Sequence, residues 1–504
     1  MKRTAGTRRA AAAAGEAWSR GLLVRAEGTG TVAHAGVVLP RLLADRVGMT
    51  RMFRDVLARP GFVPGRDRGR AVSDTVAALA SGASCLTGVE ALTAQVELFG
   101  PTGGASDTTI LRVLGEYAGR LGEDGLPVRA LARSMARVRA AAWEQVVARH
   151  GCLPAVRVAG APLAWPRPHD HADDGVPVVI RLDATVIQAA SAKEGAEANY
   201  KGYGFHPLTA WCSNTGESLA VMNRAGSAGS FTAVDHVKVL DAALDQVPAA
   251  HRRDVLVTVD GAGASHELIE HLHGLDTATV HGARGRRVEY SLGWPVDART
   301  RGALEQVRDQ DWQVALSAAG KADTDGGQVA ELTGLLRHSA GGDQLQGWPA
   351  GMRVCARRTP RAPGEQAELG QDPNWRYGAF VTNTTAGQVQ YLDARHRTQA
   401  HVEDRIKELK ACGATRLPST SYARNSAWLQ LAAHAVTVLS WLRLLALDDD
   451  LALAEPKTLR FRLLAAPARY VRHARQRVLK IPTGWAWATH LADAFDRLRA
   501  LHPA

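Results

Sequence analysis

Three acidic residues in this chain of 504 have the types and settings that phosphoryl-transfer chemistry needs. Asp183 ends the run Val176-Pro177-Val178-Val179-Ile180-Arg181-Leu182, and Asp260 ends Asp254-Val255-Leu256-Val257-Thr258-Val259. Both runs read as buried strands, and a strand end sets its side chain at the rim of a sheet. Either Asp alone is more often a turn-former or helix cap than a ligand. Glu403 adds a third acid on an amphipathic helix predicted over 398–412, with Lys407 and Lys410 at i+4 and i+7. By itself that helix reads as a solvated charged face. Together, two strand-end aspartates and a helix glutamate form the ligand set for two Mg²⁺ about 4 Å apart, one activating an attacking hydroxyl and the other stabilising the leaving oxygen. Mn²⁺ accepts the same oxygen ligands in the same octahedral geometry and would substitute.

The elements that must hold these acids follow from the hydrophobic pattern. Strands are predicted at 206–212, 218–223 and 254–260, a helix over 232–246, a tight turn at Gly261-Ala262-Gly263, and a further helix from Ser265. Strands interleaved with helices in this way imply an α/β mixed sheet with helices packed on it. The expected divisions are a flexible basic arm at 1–30 and a helical, DNA-binding N-terminal domain at 31–150. After a Pro-rich break, the first part of the core spans 175–282, a β-rich insertion 283–375, and the second part of the core 376–450. Within that second part a strand is expected at 377–383, and Gly413 is placed to cap the Glu403 helix. Everything beyond Asn425 is expected to be helical, with a basic helical C-terminal region at 451–504.

Lys and Arg exceed Asp and Glu by 11, and in a globular chain of this size that excess points to a polyanionic partner, most often nucleic acid. The densest excess lies between Glu455 and Lys480, with eight basic residues against one acid; Arg469, Arg472 and Arg475 recur at i+3, and Arg477 follows. In the N-terminal domain the densest basic patch is Arg66, Arg68 and Arg70. The five cysteines form no C-x-x-C pair, which excludes a disulfide framework and a cysteine zinc site and fits a reducing cytoplasm. The apolar stretch 431–447 is interrupted by His434, Ser440 and Arg443 and is expected to be a buried helix rather than a membrane span. His169-Asp170-His171 reads as a solvated loop, Asp260-Gly261-Ala262-Gly263 lacks the rest of a dinucleotide fingerprint, and Arg284, Arg286 and Arg287 are candidate phosphate contacts.

In their order along the chain, several segments resemble the DDE transposases of bacterial insertion sequences, specifically the IS1380 group. They are Arg181-Leu182-Asp183-Ala184-Thr185, the segment Tyr200 to Leu208, Arg224-Ala225-Gly226-Ser227-Ala228-Gly229-Ser230, Val259 to Gly263, Phe380 to Asn383 and Glu403 to Lys410. The resemblance spans about residues 30 to 500. It implies an RNase H-like core interrupted by a β insertion, with Asp183, Asp260 and Glu403 as catalytic metal ligands. It also implies phosphate contacts from Arg224, Lys407 and Lys410. A related signature, Tyr-x2-Arg-x3-Glu-x6-Lys, falls on His396, Gln399, Glu403 and Lys410, so its Tyr and Arg are absent here and Arg395 and Arg397 are the nearby substitutes. The expected activity is cut-and-paste transposition: binding of terminal inverted repeats, Mg²⁺-dependent release of 3′-hydroxyls and joining to target DNA by a homodimer on the nucleoid. The alternatives are an RNase H-like nuclease or resolvase without strand transfer, and a non-catalytic DNA-binding remnant.

Overall fold

The computed structural model describes residues 22–23, 25–26, 28–165, 175–229, 232–261, 263–277, 285–367 and 372–503. The basic arm, for the most part, and the His169-Asp170-His171 segment lie outside the described residues, as does Arg284.

Three short strands, β1 (Thr31–Val32), β2 (Arg157–Val158) and β3 (Ala161–Pro162), precede the core. The first long strand, β4 (Val178–Ala184), is the predicted apolar run, buried on both faces as a strand covered by helices on each side must be. It is followed by a small three-stranded sheet of β5 (Ile187–Gln188), β6 (Glu197–Asn199) and β7 (Gly202–Phe205). Next come β8 (Leu208–Cys212), β9 (Ser218–Met222), β10 (Asp254–Val259) and β11 (Arg287–Trp294). Then follow β12 (Gln313–Val314), β13 (Gln328–Glu331), β14 (Arg353–Pro360) and β15 (Trp375–Thr382).

One nine-stranded sheet takes these in the order β12-β13-β14-β15-β11-β10-β4-β8-β9. β10 runs parallel to both β4 and β11, and the other pairs are antiparallel. The β-rich segment expected over 283–375 supplies β11 to β14, and all four pair within this one sheet, with β11 at its centre. Alternate residues of β4 face opposite layers. Val178, Ile180 and Leu182 pack with the helices Ala233–Gln246 and His266–Leu275, whereas Val179 packs with Leu256 and Ala394 on the other side.

The predicted N-terminal helices form, running from Val38 to His150, but they do not own their core. The helix Tyr422–Ala446 is buried along almost its whole length among Leu39, Phe53, Val76, Leu79 and Leu114 from the N-terminal helices, and among Trp211 and Val221 from the sheet. Its length and apolarity would suffice to cross a membrane, but 94% of its most apolar window is buried inside the protein.

The C-terminal region departs from the helical expectation. Residues 468–480 form a hairpin, β16 (Ala468–His473) with β17 (Gln476–Lys480), and β1 pairs with β16. Pro467 precedes it, Tyr470 and Leu479 face the small core beside Val32 and Phe99, and Arg472 pairs across with Arg477. The i+3 spacing of the arginines coincides with a strand alternation in which Tyr470 and Arg472 share a face. The two turn residues, Ala474 and Arg475, both take positive φ, 46° and 65°, as a tight two-residue hairpin turn requires.

Candidate active site

Val259 of β10 sits beside Leu182 of β4 in the parallel ladder, so the next residues, Asp260 and Asp183, leave neighbouring strands at one rim. Adjacent strands lie about 4.8 Å apart. The turn after Asp260 is held tightly. Gly261 N–H donates to the Asp260 carboxylate at 2.6 Å, and Gly293 of β11 lies so close that a Cβ there would stand 1.6 Å from the Gly261 carbonyl oxygen.

Glu403 arrives from the other layer. A helix over Val389–Arg397 continues through a tighter turn at Thr398–Ala400 into the helix His401–Leu409. It therefore begins nine residues before the predicted start. Gln399, buried in that turn, fastens it to both β4 and β10: its Nε2 donates to the Leu182 carbonyl at 2.9 Å, and its Oε1 accepts from Thr258 Oγ1 at 2.5 Å. Glu403 lies one helical turn, about 6 Å, further along. Arg181 reinforces the joint. Wholly buried in β4, it donates to Ser213 Oγ at 2.8 Å, Thr258 Oγ1 at 3.3 Å and Thr398 Oγ1 at 2.9 Å, and burial lowers its pKa to about 9.

The carboxylates feel one another. Burial is the largest of the influences that raise the Asp183 pKa to about 7; the Ala184 N–H opposes it, the charges of Asp260 and Glu403 add to it, and Lys410 offsets part of it. Burial and the Lys201 ammonium lower the Lys410 pKa, while Asp183 raises it. Among the described residues no three potential ligands converge on a single point. The arrangement is thus a shared rim of mutually repelling oxygens rather than a closed coordination sphere. A donor set of hard carboxylate oxygens whose charge Lys410 offsets only in part suits a divalent cation such as Mg²⁺.

Several expected DNA contacts are turned inward. Arg224 is only 6% exposed, pairs with Asp235 at 3.0 Å and donates to the His206 carbonyl at 2.9 Å. Arg395 is buried against Glu289 at 2.7 Å, and Arg397 pairs with Asp393 at 3.0 Å and donates to the Leu316 carbonyl. Burial closes Arg395 to DNA, whereas Arg397 keeps 34% of its side chain exposed beside its ion pair. His396, at the signature's Tyr position, stacks on Phe380 with ring centroids 4.5 Å apart, and burial lowers its pKa to about 4. Arg287 lies over the Trp165 ring, and Arg66, Arg68 and Arg70 are engaged by the Gly103 carbonyl, Glu116 and Asp45. Lys407 remains exposed, pairing with Asp404 at 3.1 Å. The hairpin cations Arg469, Arg472, Arg475, Arg477 and Lys480 are all exposed and have no carboxylate partner among the described residues.

The family model described as Transposase DDE domain group 1 matches residues 17–503, and the chain belongs to this family of DDE transposases. Among solved structures the chain is similar to a cryo-EM structure of a piggyBac transposase synaptic complex with hairpin DNA. The identity is 8% and the TM-score 0.37, over 85% of this chain and 80% of that one. No curated protein matches the chain.

Proposed function

We propose that the protein is a cut-and-paste transposase of the IS1380 group, with Asp183, Asp260 and Glu403 as its catalytic carboxylates. The observation that carries this reading is the joint at Gln399, which hangs the Glu403 helix over the register-matched ends of β4 and β10. The sheet order supports an RNase H-like core: β4, β8 and β9 follow one another antiparallel, and β10 and β11 are added in parallel on the far side of β4. When bound, a pair of Mg²⁺ ions supplies activation of the attacking hydroxyl and charge relief at the leaving oxygen. The protein's part is to hold three carboxylates at one rim, to place Lys410 beside Asp183 as a phosphate contact, with Lys407 on the outer helix surface, and to bind duplex DNA through the cations of the β16–β17 hairpin. A homodimer on paired ends is part of the proposal.

The test is cleavage and joining of DNA bearing the inverted repeats that flank the coding sequence, with Mg²⁺ or Mn²⁺. Asp183→Asn, Asp260→Asn and Glu403→Gln should each abolish cleavage while leaving end binding intact. Wild-type rates from Asp183→Asn would overturn the assignment. Cleavage without joining would make the protein a nuclease, and binding without cleavage a remnant.

A further inference from the structure

The segment Tyr200 to Leu208, part of the family resemblance, has no role in the chemistry above. Resting on the transposase reading, we propose that Tyr200 and Tyr203, with Lys201 between them, form a stacking platform for unpaired nucleobases of the element end beside the scissile phosphodiester.

The β5-β7-β6 flap grows out of the catalytic rim. Leu208 pairs with Ala184 in the main sheet, and Phe205 pairs with Ile187 immediately beyond it, so the β4–β8 ladder continues upward as the flap. From Asp183 to Ile187 and back from Phe205 to Tyr203 is six residues, at most about 20 Å of strand.

The flap's backbone is braced along its length, up to the turn that carries Lys201. Gly226 lies against it so closely that a Cβ would come within 2.2 Å of the Glu197 carbonyl oxygen and 2.4 Å of that of Gly204. Gln188 donates to the Lys201 carbonyl at 2.7 Å. Lys193 and Glu194 tie the loop to Ser419, Thr420 and Tyr422 at the start of the long helix. Arg224 holds the His206 carbonyl, so the Arg224–Gly229 motif is the buckle of this flap.

Against that rigid support, Tyr200 is 79% exposed and Tyr203 53% exposed. Lys201 is the one charged residue between Asn199 and Phe205, and its ammonium lies 5.3 Å from the centre of the Tyr200 ring. Two exposed rings, one of them beside a cation, on a strand extension of the acidic rim offer a stacking surface together with a phosphate contact. Base–aromatic stacking tolerates any sequence, because every base has a π-face.

The experiment uses the full chain and two DNA probes carrying the flanking inverted repeat, one fully paired and one with three unpaired nucleotides at the cleavage point. The Tyr200→Ala/Tyr203→Ala protein should bind the unpaired probe about tenfold or more weakly than wild type, with little change on the paired probe. Tyr200→Trp and Tyr203→Phe should retain wild-type affinity. Equal losses on both probes, or no loss on either, would overturn the platform while leaving the transposase reading in place. A wild-type protein that neither binds nor cuts either probe with Mg²⁺ or Mn²⁺ would withdraw both.

Discussion

Removing one negative charge from the acidic rim of Asp183, Asp260 and Glu403 should make the metal-free protein more stable. The Asp183 carboxyl is raised from 3.8 to about 7. Between those values the folded state holds a proton that the unfolded chain has released. The stability present below the ordinary aspartate range is therefore lost as pH rises toward 7, and it stays lost above that. About three units at 1.36 kcal/mol each set a ceiling of about 4 kcal/mol on the cost of ionising Asp183 at pH 8. Asp183→Asn keeps the side chain's size and an oxygen to accept from Ala184 N–H, and it never ionises. In a chelating buffer at pH 8 the variant should resist denaturant better than wild type by about 2–4 kcal/mol, and the gap should shrink by pH 5 and close in more acidic buffer. Added Mg²⁺ should stabilise wild type and leave the variant nearly unmoved, because a cation offsets the same cost of a buried, crowded charge that the amide removes. Paired denaturant titrations at the two pH values read this directly. A variant no more stable than wild type at pH 8, or a difference independent of pH, would refute the reasoning.

Gln399→Leu should remove both bonds of the joint, costing about 1–3 kcal/mol in denaturant titration, and lower end cleavage at least tenfold while DNA binding persists; unchanged cleavage would show that the joint does not position Glu403. Replacing Arg472, Arg475 and Arg477 by Gln should weaken DNA binding with little regard to sequence and flatten the salt dependence by about 0.9 for each phosphate no longer neutralised, whereas an unchanged slope would detach the hairpin from DNA. Arg443 holds the buried Glu408 at 2.9 Å and Arg405 holds it at 3.2 Å, so Arg443→Met, which leaves one of the two cations in place, should cost about 1–3 kcal/mol. Arg443→Met combined with Glu408→Leu should recover most of that loss in the same titration.

The strands β4 and β10 were legible because local pattern and tertiary role coincide: both are mostly apolar, with Arg181 and Thr258 as polar exceptions, and an acid stands near the end of one and just beyond the end of the other. β11 was not, because Glu289 and Tyr290 break its apolar run. The partner that makes Glu289 tolerable in a core strand, Arg395, lies 106 residues away. Gln399 looks like a missing arginine in a signature, yet its function is set by Leu182 and Thr258, which the sequence places 217 and 141 residues distant. Arg224 reads as a free cation until Asp235 and the His206 carbonyl are seen around it. The C-terminal hairpin was hidden because arginines three apart fit a helix face, and because β1, the strand that pairs with β16, lies at the other end of the chain.

The burial of Tyr422–Ala446 among the N-terminal helices bears on how the chain is made. A ribosome synthesising it releases Leu39, Phe53 and Leu114 more than 300 residues before the helix that covers them. The emerging N-terminal half must wait, with its apolar faces exposed, until the last quarter of the chain is translated. Premature stops and internal deletions would then yield fragments that proteases and chaperones remove, rather than end-binding competitors of the full-length protein.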